Sequence, residues 1–237
     1  MQFSAPIYVL KRKAKLLARE ADVPLHQALD ELATQEGYRS WSHLASSPEN
    51  VSPVREILGL LEPGDLCLVA ARPGQGKTLL GLELAAKASR IGRQGYFFTL
   101  DFHEQDVADR LMSLGIDPNS TDSEVVIDTS DDVSADYVID RLSTANTPAL
   151  IVLDYLQLLD QKRKNPSLSD QMASLQRFVD DTGAICVVVS QIDRAFDLGG
   201  KSMPDASDVR LPNPLDLSVF SKFFFLHQGK FQFDRVA

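Results

Sequence analysis

Residues 66–80 combine a short apolar run, a small-residue loop and a Gly-Lys-Thr turn that begins an Ala- and Leu-rich stretch. Successive backbone N–H groups in such a loop form a cradle for an anion, and a helix N-terminus adds its partial positive charge. Lys77 can reach the β- and γ-phosphates of a nucleotide, and the Thr78 hydroxyl is a ligand for Mg²⁺. The pattern therefore predicts a nucleotide-binding loop. Its candidate binding residues are Arg72, Pro73, Gly74, Gln75, Gly76, Lys77, Thr78 and Leu79.

Ala71 stands where the strict phosphate-loop pattern has glycine. A Gly-Lys-Thr turn by itself can also begin an ordinary helix. The run before the loop is typical of a buried strand, however, and the stretch after it is typical of a helix. This context favours the nucleotide-binding interpretation.

A second candidate, Asp154, follows the apolar run 149–153. Ligands of parallel sheets bind at the carboxyl ends of the strands, and a carboxylate there is a suitable oxygen ligand for Mg²⁺. Asp154 could instead cap a following helix. Because a nucleotide-binding loop precedes it in the chain, we expect Thr78 and Asp154 together to hold the metal.

These residues need a scaffold that brings strand ends together, and the chain alternates between strand and helix patterns. The expected strands are 65–70, 95–100, 149–153 and 185–189, with a weaker one at 125–127, and the expected helices are about 77–90, 103–114, 133–145 and 168–181. Aromatic runs at 220–226 and 231–233 predict an antiparallel hairpin at the sheet edge. The fold class is therefore α/β, a mostly parallel sheet with helices on both faces.

Residues 1–48 have a different pattern. Apolar residues recur at helical spacing over 7–21 and 25–32, and Trp41 and His43 belong to a third short turn, where we expect them to pack rather than form a site. The Ser-, Pro- and Asn-containing stretch 46–53 has linker composition. The expected domains are a small helical module at 1–48 and an α/β domain at 52–237.

The 237 residues carry a formal net charge of −9, and twelve acidic residues but a single basic one fall within 101–140. This balance excludes a uniform positive coat for nucleic acid, but not a local basic groove. No apolar run approaches the roughly 20 residues of a membrane span. Cys67 and Cys186 lie inside apolar runs, as reduced core cysteines do. We therefore expect a cytoplasmic protein without a membrane segment.

Three segments carry a family resemblance: Ala-Ala-Arg-Pro-Gly-Gln-Gly-Lys-Thr (70–78), Leu-Ile-Val-Leu-Asp-Tyr-Leu-Gln-Leu-Leu (150–159) and Val-Val-Val-Ser-Gln-Ile-Asp-Arg (187–194). In this order they resemble the motifs of the DnaB-type replicative DNA helicase motor domain, a RecA-like P-loop ATPase. The resemblance covers about residues 52–227 and implies ATP and Mg²⁺ as cofactors. The N-terminal helices do not resemble the helical collar of that family.

The resemblance also implies roles for single residues. Lys77 and Thr78 would contact the nucleotide and Mg²⁺, and Asp154 would be the second metal carboxylate. Gln191 would sense the γ-phosphate and couple hydrolysis to a DNA-facing loop, although it could simply be a polar residue at the end of a buried strand.

Asp101 occupies the position of the family's catalytic glutamate, with Arg110 in register. Such a carboxylate orients the attacking water. Because aspartate is one methylene shorter than glutamate, we expect slow hydrolysis. Glu104 is a second candidate base, but one turn into the helix it is expected to point elsewhere.

The chain departs from the family pattern after Ser207-Asp208-Val209-Arg210, which resembles the Ser-Asp-Leu-Arg segment before a DNA-binding loop. Residues 211–216 lack the usual Gly- and Ser-rich composition. Residues 228–235 lack the Lys-x-Arg-Asn-Gly segment that supplies charge in trans to a neighbouring subunit, a contribution worth about 10³–10⁵ in rate for an arginine finger. A homo-oligomer, a hexameric ring in the family, would work here without that segment.

Two functions remain in competition. The first is a Mg²⁺-dependent ATPase related to DNA helicases, whose partners would be nucleotide and single-stranded DNA, bound at basic residues within 11–19, 162–164 or 194–210. The second is an ATP-binding switch that regulates a protein or DNA partner with little or no hydrolysis. A phosphotransferase is a third and weaker reading, because the chain shows no acceptor-binding lid or basic acceptor pocket.

Overall fold

The computed structural model describes residues 7–45, 53–117, 125–145, 147–159, 165–211 and 213–235. The chain divides into two compact units, Met1–Pro53 with Gln228–Lys230, and Val54–His227 with Phe231–Ala237. The basic residues at 162–164, expected as one DNA-binding candidate, lie outside the described ranges. Within those ranges, no helix is both long and apolar enough to cross a membrane.

The first unit contains three helices within its described residues: α1 (Ile7–Glu20), α2 (Leu25–Gln35) and α3 (Trp41–Ala45). Their apolar faces meet in two small clusters. Leu10, Ala33 and Leu44 form one, against which Trp41 packs. Ala14 and its neighbours on α2 form the other. No comparison tests whether residues 1–48 are a separate domain, and this stays a prediction.

The second unit consists of a sheet and the helices that cover it. Its strands are β1 (Leu66–Ala71), β2 (Gln94–Thr99), β3 (Val126–Asp128), β4 (Ala149–Asp154), β5 (Ile185–Gln191), β6 (Lys222–His227) and β7 (Lys230–Arg235). Its helices are α4 (Val54–Leu60), α5 (Lys77–Ala86), α6 (Glu104–Ser113), α7 (Ala135–Leu142), α8 (Leu156–Leu159) and α9 (Leu168–Thr182).

The seven strands form one sheet in the order β3-β2-β4-β5-β1-β6-β7. Strands β1 to β6 pair in parallel, and β7 returns antiparallel to β6 at the edge. The predicted α/β class is therefore confirmed, with a RecA-like topology and a C-terminal hairpin. The order also places the carboxyl ends of β2, β4, β5 and β1 side by side.

Alternation along the buried strands divides the core between the two faces of the sheet. Leu68, Ile151 and Val188 belong to the face covered by α7 and α9. Val69 and Val152 belong to the opposite face, which α4, α5 and α6 cover. These strands are buried on both faces and were recognisable in the sequence as continuous apolar runs.

Helix α5 lies unusually close to the sheet because glycine faces it at two places. A Cβ atom at Gly81 would lie 2.9 Å from Val152 Cγ1, and one at Gly95 would lie 1.8 Å from the Ala85 carbonyl oxygen. Distances below 3.0 Å require the neighbour to move, and a backbone carbonyl cannot yield as a flexible side chain can. These contacts set the position from which α5 presents its N-terminus.

Two features differ from the expectations. Helix α4 begins at Val54, directly after the stretch with linker composition, and its seven residues were not predicted. Helix α5 ends at Ala86 instead of about 90, and a short 3₁₀ helix, Ala88–Ile91, completes the expected span. Gly92, with φ of 70°, ends that 3₁₀ helix.

We predict that Gly95→Ala lowers the free energy of unfolding by about 3 kcal/mol, because the new methyl group collides with the Ala85 carbonyl. For a chain of this size the melting temperature should fall by roughly 6–12 °C. Gly59→Ala is the control. A Cβ there meets nothing within 4 Å, and alanine favours helix by about 1 kcal/mol. Equal melting temperatures for the two variants would contradict the close approach.

Candidate nucleotide site

Strand register brings the predicted site residues to one edge of the sheet. Ala71, the last residue of β1, pairs with Gln191, the last residue of β5. Asp154 at the end of β4 pairs with Val189 on one side and with Thr99, the end of β2, on the other. The segments that carry the candidates therefore leave the sheet at the same edge.

The loop between β1 and α5 has the backbone conformation that its glycines allow. Gly74 and Gly76 have φ values of 80° and 86°, in the left-handed region that favours glycine. The Gln75 N–H donates to the Arg72 carbonyl at 3.2 Å, and Gly76 caps the ten-residue helix α5. The N–H groups at the start of this helix and its dipole make the loop suitable for an anion such as a phosphate.

Thr78 and Asp154 are in direct contact, although 76 positions separate them in the chain. The Thr78 hydroxyl donates to Asp154 Oδ1 at 3.3 Å. Asp154 is 2% exposed, and among the described residues its Oδ2 has no hydrogen-bond partner. The contact joins the first turn of α5 to the end of β4.

Burial raises the pKa of Asp154 to about 6, against the opposing effects of the Lys77 charge and the Thr78 hydrogen bond. Burial also lowers the pKa of Lys77, while the carboxylates of Asp154 and Asp101 act in the opposite direction. The Lys77 ammonium group lies 5.8 Å from the centre of the Tyr155 ring. A cation and two carboxylates thus influence one another at this edge.

The donor set fits a magnesium ion. Mg²⁺ prefers oxygen ligands and usually binds through one or two protein groups, with its remaining positions taken by water and nucleotide phosphates. The Thr78 hydroxyl and Asp154, whose buried Oδ2 lacks a protein partner among the described residues, supply this chemistry. In the part of the chain that the structure describes, no group of three or more His, Cys, Asp or Glu side chains could hold a metal by itself.

Asp101 lies just beyond β2, in the loop before α6, and its side chain is exposed. Its backbone N–H donates to Thr99 Oγ1 at 3.2 Å. Arg110 stacks over the Phe102 ring, with its guanidinium carbon 3.8 Å from the ring centre. Glu104, the alternative base, is the exposed first residue of α6.

Gln191 is half-buried and lies in a network of hydrogen bonds. Its Oε1 accepts from Arg210 Nη1 at 3.3 Å, and its side chain is hydrogen-bonded to Tyr155. Gln157, which the sequence did not single out, donates through Nε2 to Ser190 Oγ at 2.9 Å and to the Arg210 carbonyl at 2.6 Å. The end of β5 is therefore tied both to β4 and to the segment around residue 210.

The guanidinium group of Arg72 does not point into the loop that it begins. Its Nε and Nη2 donate to the Asp197 carboxylate, with Nη2 2.8 Å from Oδ2, and its Nη1 donates to the Ile192 carbonyl at 3.1 Å. The side chain is thus used for protein contacts. Arg72 and Asp197 are 125 positions apart, and nothing in the local pattern of either residue indicated the pair.

A sequence profile of the family described as "ATPase: KaiC" matches residues 51–204. Proteins named replicative DNA helicase DnaB are also similar. The one from Mycoplasma pneumoniae is 24% identical over 75% of this chain and 46% of its own length. The one from Leifsonia xyli is 24% identical over 69% of this chain and 42% of its own length. The chain thus spans less than half of these two relatives.

Solved structures of low sequence identity share the fold. One of an isolated ATPase domain is 19% identical, with a TM-score of 0.57 over 84% of this chain and 83% of that one. A DnaB-like replicative helicase is also 19% identical, with a TM-score of 0.58 over 92% of this chain and 66% of that one. A KaiC-like protein from Pyrococcus horikoshii has a TM-score of 0.52 at 16% identity, over 68% of this chain and 70% of that one.

We predict that Asp154→Asn removes a pH dependence of stability measured without nucleotide or Mg²⁺. The folded-state pKa of about 6 lies above the ordinary value of 3.8, so the folded state binds more protons, and stability falls as pH rises through this range. Between about pH 5 and pH 8 this group costs about 1 kcal/mol.

Denaturant unfolding in EDTA at several pH values measures this effect. Asp181→Asn, an exposed change on α9, is the matched control and should retain the wild-type slope. Identical slopes for Asp154→Asn and wild type would show that Asp154 is not the group responsible.

Proposed function

The chain belongs to the KaiC family of ATPases, and on that premise we propose that its RecA-like domain binds ATP with Mg²⁺ and hydrolyses it at the carboxyl edge of the sheet. One observation carries the proposal. The Thr78 hydroxyl lies 3.3 Å from the buried Asp154 carboxylate, which joins the nucleotide-binding loop to the end of β4. A hydroxyl and a carboxylate held together beside a helix N-terminus suit a metal–nucleotide complex.

The residues of the chain divide the binding work. The loop 72–76 and the first N–H groups of α5 would receive the β- and γ-phosphates, and the Lys77 ammonium group would neutralise part of their charge. Thr78 and Asp154 would hold Mg²⁺, which when bound neutralises the charge that develops during phosphoryl transfer. Lys77 is kept charged by its neighbours Asp154 and Asp101, which oppose the effect of burial on its pKa.

Asp101 would place the attacking water. Its carboxylate is close enough to influence the pKa of both Lys77 and Asp154, and its exposure leaves room for a water in line with the γ-phosphate. The Thr99 hydroxyl holds its backbone N–H at 3.2 Å, which fixes the start of the loop. Positioning and proton acceptance of this kind contribute about 10²–10⁴ in rate.

A second candidate function is an ATP-binding switch with little hydrolysis. It is favoured by the shorter, exposed Asp101 and by the hydrogen bonds that connect Gln191 with Arg210. In this case Gln191 would report the nucleotide state to the segment around Arg210. Both functions use the same binding residues and differ in whether Asp101 brings water close enough to react.

DNA and a ring assembly belong to the proposal through the relatives. The similar proteins are named replicative DNA helicases, and we extend single-stranded DNA to this chain as a partner, with exposed Arg194 and Arg210 as contacts. A homo-oligomer is proposed on the same ground. The free cysteines Cys67 and Cys186 suit the reducing cytoplasm, where we place the protein.

We predict that Lys77→Ala lowers kcat/KM for ATP by about 10²–10³, because a charge that faces the phosphates is lost. Phosphate release with ATP and Mg²⁺, with and without single-stranded DNA, is the measurement. Lys230→Ala, which removes an exposed lysine on β7, is the matched control. Equal hydrolysis by wild type and Lys77→Ala would remove the basis of the proposal.

We also predict that Asp101→Glu raises kcat severalfold and Asp101→Asn lowers it by about 10², while ATP affinity changes little in both. The longer side chain brings the carboxylate nearer the water, and the amide cannot accept a proton. Turnover and binding of a fluorescent ATP analogue are measured separately. Wild-type turnover in Asp101→Asn would exclude this residue as the base. Nucleotide binding without turnover in the wild-type protein would select the switch.

A further inference from the structure

Arg72 stands at the corner between strand β1 and the nucleotide-binding loop. It follows Ala71, the last residue of β1, and its carbonyl accepts the Gln75 N–H that closes the first turn of the loop. A phosphate that binds the loop therefore acts on a backbone that includes Arg72. The direction of the Arg72 side chain decides where such a displacement is felt.

That side chain is held by contacts with one segment, residues 192–211. Nε lies 3.0 Å and Nη2 2.8 Å from Asp197 Oδ2, Nε lies 3.2 Å from Oδ1, and Nη1 lies 3.1 Å from the Ile192 carbonyl. The Arg72 side chain is 17% exposed. A fork of this kind is far more directional than an ordinary surface ion pair, and lysine cannot reproduce it.

The 192–211 segment is also tied to the end of β5 at its other side. Ile192 bridges to Val209, and the Arg210 N–H donates to the Gln191 carbonyl at 2.8 Å. Between these ties lies a 3₁₀ helix, Arg194–Leu198, that carries Asp197. Its Leu198 is 90% exposed. The Arg72 contact therefore reaches a part of the segment that the Gln191 tie does not hold.

We propose that Arg72 is a positioning residue that couples occupancy of the nucleotide-binding loop to the conformation of the 192–211 segment through its pair with Asp197. The proposal deepens the proposed function and rests on it. It assigns the Arg72 guanidinium to regulation of the site instead of phosphate contact. The route is separate from Gln191, because it starts at the loop itself and not at the end of β5.

Coupling of this kind must be reciprocal. If nucleotide orders the segment through Arg72, then the intact pair tightens nucleotide binding by the same factor. Typical coupling corresponds to about 5–150-fold in an equilibrium constant. Removing either partner of the pair should therefore weaken nucleotide binding and the response of the segment together, and removing both should add little more.

Hydrogen exchange of peptides from 192–211, with and without a non-hydrolysable ATP analogue and Mg²⁺, tests the proposal in the full chain. The analogue should slow exchange in wild type. In Arg72→Ala and Asp197→Ala this slowing should shrink by about fivefold or more, and Kd for the analogue should rise by a similar factor. The double variant should match the single ones. Arg72→Lys and Asp197→Asn, milder changes, cover poor folding of the alanine variants.

Arg141→Ala is the matched control, because Arg141 also pairs with an aspartate, Asp128, at 3.6 Å. It should behave as wild type. Loss of analogue binding in Arg72→Ala with wild-type binding in Asp197→Ala would overturn the proposal, because Arg72 would then contact phosphate itself. Wild-type exchange and Kd in both variants would also overturn it. Failure of the wild-type protein to bind the analogue would instead overturn the proposed function.

Discussion

The buried carboxylate of Asp154 is the interaction on which the site depends. A carboxylate that is 2% exposed is costly unless something stabilises its charge, and here the Thr78 hydroxyl and the Lys77 charge do so in part. Its pKa of about 6 shows that the compensation is incomplete. A site that binds a metal–nucleotide complex gains from this arrangement, because the ligand supplies the positive charge that the folded protein lacks.

The scaffold has to hold α5 close to the sheet for that contact to exist. Glycines at 81 and 95 remove the methyl groups that would keep the helix away, so the α5 N-terminus stays beside the ends of β1 and β4. Packing at this density responds to ligands by discrete shifts and not by gradual deformation. The position of the helix and the chemistry of the site are therefore one constraint.

Much of the fold was recognisable from local pattern. Buried parallel strands appear as β-branched apolar runs, and the expected runs 149–153 and 185–189 fall within β4 and β5 as the structure has them. Helix α4 escaped prediction because its seven residues follow a stretch with linker composition. Pattern also led to Arg72 as a nucleotide-binding residue, whereas its side chain contacts Asp197 and Ile192.

The sequence by itself determined the nucleotide-binding loop, because its conformation depends on contiguous residues and on glycines at 74 and 76 that tolerate positive φ. It also determined the alternation of strands and helices. Only the tertiary structure decided which strand ends are neighbours. Thr78 meets Asp154 across 76 positions, and Arg72 meets Asp197 across 125, because the order β2-β4-β5-β1 brings those ends together. Strand order comes from packing of the whole sheet, which no local pattern contains.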